Sequence, residues 1–149
     1  MRASKLGRYS WTMFDWANQP FYTLIMTFVF SVYFTDVFIA GEDGAQKLTL
    51  TQTISGLAIA LLSPVLGSIT DIKGSRKLLM GITSALFVLG MALLWYSPPG
   101  APDGIWIVMF GLILASAMVG FSEVFNNSVL STIETPENSG WLSGMGYGV

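Results

Sequence analysis

The sequence contains no cysteine and no histidine, and only 11% of its 149 residues are charged. Without cysteine there is neither a disulfide framework nor a thiol-ligated metal. Without histidine the chain lacks the commonest general base and metal ligand. We therefore expect no cofactor, no metal site and no enzyme activity. Soluble domains carry about 25% charged residues, so the deficit is too large for a surface that faces water.

Long apolar runs take the place of the missing charge. Hydrophobic residues make up 52% of the chain, and no Asp, Glu, Lys or Arg occurs in 16–35, 48–70, 78–102 or 104–122, nor from 138 to 149. About 20 mainly apolar residues are needed to cross the roughly 30 Å of hydrocarbon in a bilayer. The pattern predicts an all-α, polytopic membrane helix bundle in contact with lipid. No Lys/Arg-rich run points to nucleic acid.

Four complete helices and the start of a fifth are predicted. We number the complete ones span 1 (about 11–39), span 2 (51–70), span 3 (77–96) and span 4 (105–125); the fifth starts at about 141. Span 1 is longer than a minimal crossing, so it tilts, kinks near Pro20, or begins in the interface. The chain stops inside the fifth apolar run, which predicts a fragment whose C-terminal helices are missing.

Basic and aromatic residues predict the orientation. With a cytoplasmic N-terminus, six of the seven basic residues lie inside and only Lys47 lies outside, as the positive-inside bias expects. The six are Arg2, Lys5, Arg8, Lys73, Arg76 and Lys77. Aromatic rings favour both edges of a membrane, and here they are Tyr9, Trp11 and Trp141 inside and Trp95, Tyr96 and Trp106 outside.

Small residues recur at four-residue spacing, which permits close helix packing in lipid. They are Gly56, Ala60 and Pro64 in span 2; Gly111 with Ala115 and Ser116 with Gly120 in span 4; and Gly140, Gly144 and Gly148.

A polar stripe follows span 1. Its members recur at intervals of four and so share one slowly winding face of a helix: Asp15, Gln19, Thr23, Thr27 and Ser31, widened by Asn18 and Tyr22. An ionisable residue inside a membrane segment is by default a functional candidate. Asp15 has a second interpretation, as an interfacial acid that caps the helix or pairs with a nearby arginine. The Thr and Ser hydroxyls have one too, since they can bond back to their own helix.

The inner end of span 4 carries a second polar group, Glu123 with Asn126 and Asn127. These residues lie at the depth of Asp15 on a helix of the same bundle. We predict one polar cluster on the cytoplasmic half of a transport path, with proton coupling as a hypothesis. Two unrelated interfacial acids are the alternative.

The hairpin between spans 2 and 3 contains Gly67, Asp71, Gly74, Arg76 and Lys77. Glycine supplies a turn that needs positive φ, and the two basic residues hold span 3 inside. This pattern of Gly, three residues, Asp, then Gly and basic residues resembles the signature between helices 2 and 3 of the major facilitator superfamily. Ile72 and Ser75 depart from it, because the family often has basic residues there.

Three further stretches resemble one branch of that superfamily, the vacuole effluxers. They are 14–23 (FDWANQPFYT), 124–127 (VFNN) and 142–147 (LSGMGY). The resemblance implies the first four to five helices of a 12-helix transporter built as two six-helix halves. It also implies a gating role for the hairpin and cavity-lining roles for spans 1 and 4. Fungal members are linked to amino-acid export from the vacuole, and bacterial relatives are numerous.

These observations predict a multi-pass protein, in a bacterial inner membrane if the bacterial relatives are the guide. Its partners would be a small polar solute, such as an amino acid, and protons, and its mechanism alternating access. The alternative is a non-transporting scaffold or accessory subunit, in which the polar stripe forms a subunit interface. Labelling of Gln19 and Thr23 by a water-soluble reagent separates a cavity from an interface.

Overall fold

The structure, a computed structural model, describes residues 5–70, 76–100, 102–133 and 144. Over these residues it contains helices and turns and no strand. Four stretches are long and apolar enough to cross a membrane: Tyr9–Phe38, Glu42–Ser68, Lys77–Tyr96 and Ile105–Ser128. These are spans 1 to 4, and their length and composition are those of an integral membrane protein. The predicted start of a fifth helix at about 141 lies outside the described residues.

Span 1 changes helix type next to Pro20. It consists of α1 (Lys5–Pro20), a π-helix (Phe21–Phe28), α2 (Phe30–Tyr33) and a second π-helix (Phe34–Phe38). Proline has no N–H and removes one i→i−4 bond, and the wide turns begin at the following residue. In a π-helix each backbone bond reaches back five residues, as from the Val29 N–H to the Leu24 carbonyl at 2.8 Å. The irregularity of span 1 next to Pro20 is therefore a change in the number of residues per helical turn.

Span 2 begins earlier than its apolar run suggested. The helix α3 is Glu42–Thr70, so the predicted loop before Thr51 is mostly helical. Glu42 and Asp43 lie in its first turn, where carboxylates are stabilised by the helix dipole. Asp43 also pairs with Lys47 one turn later, at 3.6 Å. Charged residues interrupt an apolar run but can still lie in a helix. For this reason the length of the apolar run underestimated the length of the helix.

The turn between spans 1 and 2 depends on glycine. Gly41 has φ +93, a conformation that other residues rarely adopt. A Cβ atom at Gly44 would lie 1.9 Å from the Ile39 carbonyl oxygen, so only glycine fits there. These two residues reverse the chain and start span 2 within a few positions.

Spans 3 and 4 are joined by a short turn at the opposite side from the chain's N-terminus. Span 3 is α4 (Arg76–Leu93) followed by a 3₁₀ turn (Leu94–Tyr96), and span 4 is α5 (Ile105–Ile133). Span 4 thus continues past its predicted end at Phe125. Asn126, Asn127 and Ser128 are weak helix formers, but Asn126 is buried against span 1 in the tertiary structure. Tertiary contact has overridden local propensity.

Span 4 is the central helix of the described bundle. In its most apolar window 61% of the residues are buried, against 17%, 11% and 17% for spans 1, 2 and 3. Spans 1 and 4 are antiparallel. Phe21 packs with Ala115 and Val119, whereas Phe34 and Phe38, further along span 1, pack with the cluster at the start of span 4. The N-terminal part of span 1 therefore lies beside the C-terminal part of span 4.

Spans 3 and 4 approach each other closely at Gly90. A Cβ atom there would lie 2.8 Å from both the Gly111 carbonyl oxygen and the Ala115 backbone nitrogen. Ordinary van der Waals contact needs 3.4–4 Å, so the two backbones touch only because position 90 has no side chain. Gly111 and Ala115 belong to the predicted small-residue pattern; Gly90 does not.

The glycines of spans 2 and 4 differ in how closely they approach the other span. Gly120 of span 4 faces Ile59 of span 2, whose Cδ1 would lie 2.7 Å from an added Cβ atom. At Gly56 and Gly67 an added Cβ atom would meet nothing within 4 Å. Among the described residues, the close approach predicted for Gly56 is therefore absent, and Gly67 makes none either.

Aromatic residues at the helix ends divide into two groups. Tyr9, Trp95, Tyr96 and Trp106 are exposed, as rings in a membrane interface are. Trp11 is only 5% exposed, so its ring is covered by neighbouring helices, and its depth in the membrane stays a prediction. Trp141 lies outside the described residues.

Candidate site between spans 1 and 4

A buried hydrogen bond joins the N-terminal part of span 1 to the C-terminal part of span 4. The Trp11 indole Nε1 donates to the backbone carbonyl of Asn126 at 2.8 Å. Buried indole N–H groups usually find such a partner. This bond fixes which turns of the two helices face each other, and the polar residues of both spans gather beside it.

Span 1 contributes two buried polar side chains to this contact. Asp15, one turn after Trp11, is 4% exposed, and Asn18, on the next turn, is 9% exposed. Asp15 Oδ2 and Asn18 Nδ2 are enclosed and have no hydrogen-bond partner. A buried polar atom left unpaired costs about 1–3 kcal/mol. Apolar side chains at these positions would pack without that cost, so packing alone does not explain the polar residues.

Span 4 contributes Glu123 and Asn126. The Glu123 carboxylate, half-buried, interacts with the Tyr22 hydroxyl as a hydrogen-bond acceptor and electrostatically with Asp15. Asn126 is 2% exposed, and its Nδ2 also lacks a partner. Asp15 and Glu123 therefore lie near each other, and Asn18 and Asn126 each follow one of these acids by three residues on the same helix. We call these four residues and Tyr22 the polar cluster.

The face of span 1 that carries the cluster differs from the predicted stripe. Asp15, Asn18 and Tyr22 are separated by three and then four residues, the alternation that keeps a helical face constant. A strict interval of four drifts around the helix instead. Thr23 accordingly is exposed, whereas Gln19 is half-buried, as Tyr22 is.

The hydroxyls further along the stripe bond to their own helix. Thr27 Oγ1 donates to the Tyr22 carbonyl at 2.8 Å, and Ser31 Oγ donates to the Met26 carbonyl at 2.6 Å. Each bond reaches back five residues, where the wide π-helical turns put the carbonyl. Of the two interpretations for these hydroxyls, the structure shows self-bonding.

The remaining predicted residues lie outside the cluster. Asn127 is exposed. In the hairpin, Gly67 is half-buried at the end of span 2 and Lys77 is exposed at the start of span 3. Asp71 and Gly74 lie outside the described residues, and for Arg76 only the helical backbone is described.

The chemistry available to the polar cluster is limited to oxygen and amide groups. Within residues 5–70, 76–100 and 102–133, no group of three or more His, Cys, Asp or Glu side chains is suited to hold a metal ion. Two carboxylates, two amides and a phenol can bind protons, a hard cation or a polar solute.

Sequence reasoning missed one residue of this site, Trp11. The signal was present, because Trp11 precedes Asp15 by one helical turn and continues the face that runs through Asn18 and Tyr22. An aromatic residue near a span's end is more often interfacial. Only the contact with Asn126 distinguishes the two positions.

Comparison with known proteins gives one informative relative. The chain is 29% identical over 146 residues to a Bacillus subtilis (strain 168) protein described as "Uncharacterized MFS-type transporter YxiO". The match covers 94% of this chain and 33% of that protein, so the chain spans about a third of the length of the curated relative. No family model matches the chain, and no solved structure matches it.

Proposed function

We propose that this chain belongs to an MFS-type transporter, of the major facilitator superfamily, that moves a small polar solute across a membrane by alternating access. The four spans would form part of one of the two helix bundles that rock about a site near the midplane. Support comes from the helical membrane architecture, the similarity to the Bacillus subtilis transporter and the hairpin signature.

The observation that carries the proposal is the polar cluster inside membrane-spanning helices. Unpaired polar atoms are costly in hydrocarbon, and intramembrane carboxylates mark solute or ion pathways. A structural bundle would stabilise itself by replacing Asp15 and Asn18 with apolar residues. Their presence at the contact between two spans is explained by a role in transport, with Asp15 and Glu123 as the groups that couple transport to protons.

The path extends beyond the cluster in this proposal. Gln19, Thr23 and Asn127 have accessible side chains, as residues that line a water-filled path require. The hairpin residues Gly67, Asp71, Gly74, Arg76 and Lys77 form the gate on the cytoplasmic side of a bacterial inner membrane. The solute class, amino acids or similar small polar molecules, follows from the resemblance to vacuole effluxers.

Transport in proteoliposomes tests the role of the two acids. We expect the double substitution Asp15→Asn and Glu123→Gln to abolish or strongly slow uptake of radiolabelled amino acids and to remove its pH dependence. Asp36→Asn is the matched control, because Asp36 lies on the same span but is exposed at its far end. An unchanged rate and pH dependence in the well-inserted double variant would reject the proposed path.

Labelling with a water-soluble thiol reagent tests whether the path holds water. The chain has no native cysteine, so Thr23→Cys can be probed without background. Leu57→Cys is the control, because Leu57 is 57% exposed on span 2 and has an aliphatic side chain suited to lipid. Labelling of position 23 but not 57 supports a path; protection of both supports a subunit interface instead.

A further inference from the structure

The centre of span 1 holds more residues per turn than the α-helices of the other spans. Backbone bonds of the π-helix Phe21–Phe28 reach back five residues, as the bond from Val29 to Leu24 does, whereas α-helical bonds reach back four. Wide turns of this kind accommodate a surplus residue, and they are frequent at functional sites. If the segment tightens to an α-helix, one end of span 1 must move to take up that residue.

The hydroxyls in and after this segment have an acceptor in either winding. Thr27 and Ser31 donate to the carbonyls five residues back, at 2.8 and 2.6 Å. In the α-helix of span 2 the hydroxyls donate to the carbonyls four residues back, and these are the hydroxyls of Thr49, Thr51, Thr53 and Ser55. An α-helical winding would give Thr27 and Ser31 the same four-residue bond. Neither hydroxyl would lose a partner, so these side chains stabilise both windings.

The C-terminal part of span 1 is held firmly in place. Phe34 and Phe38 are 0% and 3% exposed, in an apolar cluster that includes residues of spans 2, 3 and 4. The Tyr33 hydroxyl donates to the Ser97 carbonyl, in the turn between spans 3 and 4. Moving this part would withdraw two rings from close packing and leave voids behind them.

The N-terminal part of span 1 is held less well. Trp11 and Tyr22 form hydrogen bonds to span 4, but Asp15 Oδ2 and Asn18 Nδ2 are enclosed without a partner. The free energy that such atoms cost is recovered when they reach water or another polar group. The N-terminal part is therefore the part that moves.

A change of one residue in register has a defined geometric effect. In an α-helix it corresponds to a rotation of about 100° and a rise of about 1.5 Å. If the segment tightens by one residue, each residue before it takes the place of its predecessor. Asn18 then occupies the exposed place of Ala17, and Asp15 occupies the half-buried place of Phe14. Both polar side chains leave their enclosed positions against span 4.

The residues that replace them make a face of similar size. The set that faces span 4 changes from Trp11, Asp15 and Asn18 to Thr12, Trp16 and Gln19. Each set contains one tryptophan, one short polar side chain and one amide. Tyr22 takes the place of Phe21, which packs with Ala115 and Val119, so an aromatic ring remains there. Span 1 thus carries two adjacent faces that suit the same contact.

We propose that span 1 contains a register switch, in which tightening of Phe21–Phe28 by one residue rotates the N-terminal part of the span. The rotation moves Asp15 and Asn18 from enclosed places against span 4 to accessible ones, and it separates Asp15 from Glu123. The consequence for transport rests on the proposed function, which puts these groups on the solute path. The rotation itself does not depend on that function.

Deletion of Leu24 tests for the surplus residue. Leu24 is exposed within the wide turns, and without it span 1 can be α-helical while both of its ends stay in place. We expect this deletion to leave the Tm close to that of the parent protein. Leu57 is the control, because it is exposed in the α-helix of span 2, which has no surplus residue. Its deletion rotates one part of that span and should lower the Tm clearly. Equal losses of Tm would overturn the register switch.

Labelling with N-ethylmaleimide detects the second register. Asn18→Cys should react in the otherwise unchanged chain, and at least about tenfold more slowly when Leu24 is deleted, because a minor state populated at roughly 0.1–10% is then removed. Pro20→Ala should instead speed the reaction, since it restores an N–H and removes the clash that opposes α-helical winding.

Ala17→Cys is the matched control for labelling, because Ala17 and the Trp16 place that it would take are both exposed. Its rate should not depend on the deletion or on Pro20→Ala. The register switch would be overturned by a rate at position 18 that neither change alters, or by no reaction there in any background. The Pro20→Ala arm decides the matter even if the deletion variant does not fold.

Transport measurements separate this inference from the proposed function. We expect deletion of Leu24 to slow amino-acid uptake in proteoliposomes strongly although the protein remains folded. Uptake at the parent rate would leave the transporter in place and reject the switch. Labelling at position 18 that depends on Leu24, without solute transport by the parent protein, would support the switch and reject the transporter.

Discussion

Replacing Gly90 with alanine should loosen the contact between spans 3 and 4. An added Cβ atom would lie 2.8 Å from two backbone atoms, the Gly111 oxygen and the Ala115 nitrogen. Backbone atoms inside helices cannot rotate away as a flexible side chain can. The helices must therefore separate by about 0.6 Å to reach the 3.4 Å of ordinary contact. Overpacking of this kind costs about 1–3 kcal/mol.

Gly81 of the same helix provides a matched control. A Cβ atom there would meet nothing within 4 Å, so Gly81→Ala keeps only the gain in helix propensity, about 0.5–1 kcal/mol. Gly90→Ala has the same gain and the overpacking cost in addition. The difference in stability between the two variants, about 1–3 kcal/mol, therefore measures the close approach itself.

Thermal unfolding of the purified protein in detergent, followed by tryptophan fluorescence, measures this difference. At roughly 2–4 °C per kcal/mol for a domain of 150–250 residues, Gly90→Ala should unfold several degrees below Gly81→Ala. Since span 4 also carries Glu123 and Asn126, we expect Gly90→Ala to slow transport as well. A Tm for Gly90→Ala equal to or above that of Gly81→Ala would refute the close contact between the two backbones.

Three further predictions concern single interactions. Trp11→Phe keeps an aromatic ring but removes the N–H donor to the Asn126 carbonyl and part of the buried indole volume. It should cost at least about 0.5–1.5 kcal/mol in the unfolding free energy, and an unchanged Tm would show that the bond contributes nothing. The Ser122 hydroxyl of span 4 donates to the Thr83 hydroxyl of span 3 at 3.0 Å. A double-mutant cycle of Ser122→Ala and Thr83→Val should therefore give a coupling free energy of about 0.5–1.5 kcal/mol. Strictly additive effects of the two substitutions would contradict this hydrogen bond. Asp71→Asn should reduce the transport rate with membrane insertion unchanged, because we place this residue in the gate; normal transport by the inserted variant would remove Asp71 from the gate.

The membrane architecture could be predicted because it follows from composition. Charge-free runs of about 20 residues leave few alternatives to membrane-spanning helices. The limits of the helices were less predictable. Glu42 and Asp43 ended an apolar run although they begin a helix, and Asn126 marked an end by propensity although the helix continues through it. Hydropathy indicates which residues are stable in lipid. It indicates where a helix begins and ends only where the ends of the apolar run are also the ends of the helix.

The candidate site could be predicted in part. Asp15, Asn18, Tyr22, Glu123 and Asn126 were recognisable because polar residues in a membrane segment are few and expensive. Their shared depth followed from the antiparallel order of the spans. That Asp15 and Glu123 form one cluster was predicted from this shared depth, with two unrelated acids as the alternative. Depth alone could not decide between them, because the contact depends on how far each helix is rotated about its axis.

That rotation is the property that only the tertiary structure decided. It left Thr23 and Asn127 exposed, buried the Trp11 ring with its N–H bonded to Asn126, and set Gly90 against span 4. The sequence determined by itself that the chain forms membrane-spanning helices and which polar groups they carry, since both depend on residue type alone. Which of those groups meet depends on helix rotation, and this is fixed by the close backbone contact between spans 3 and 4 and by the hydrogen bond from Trp11 to Asn126.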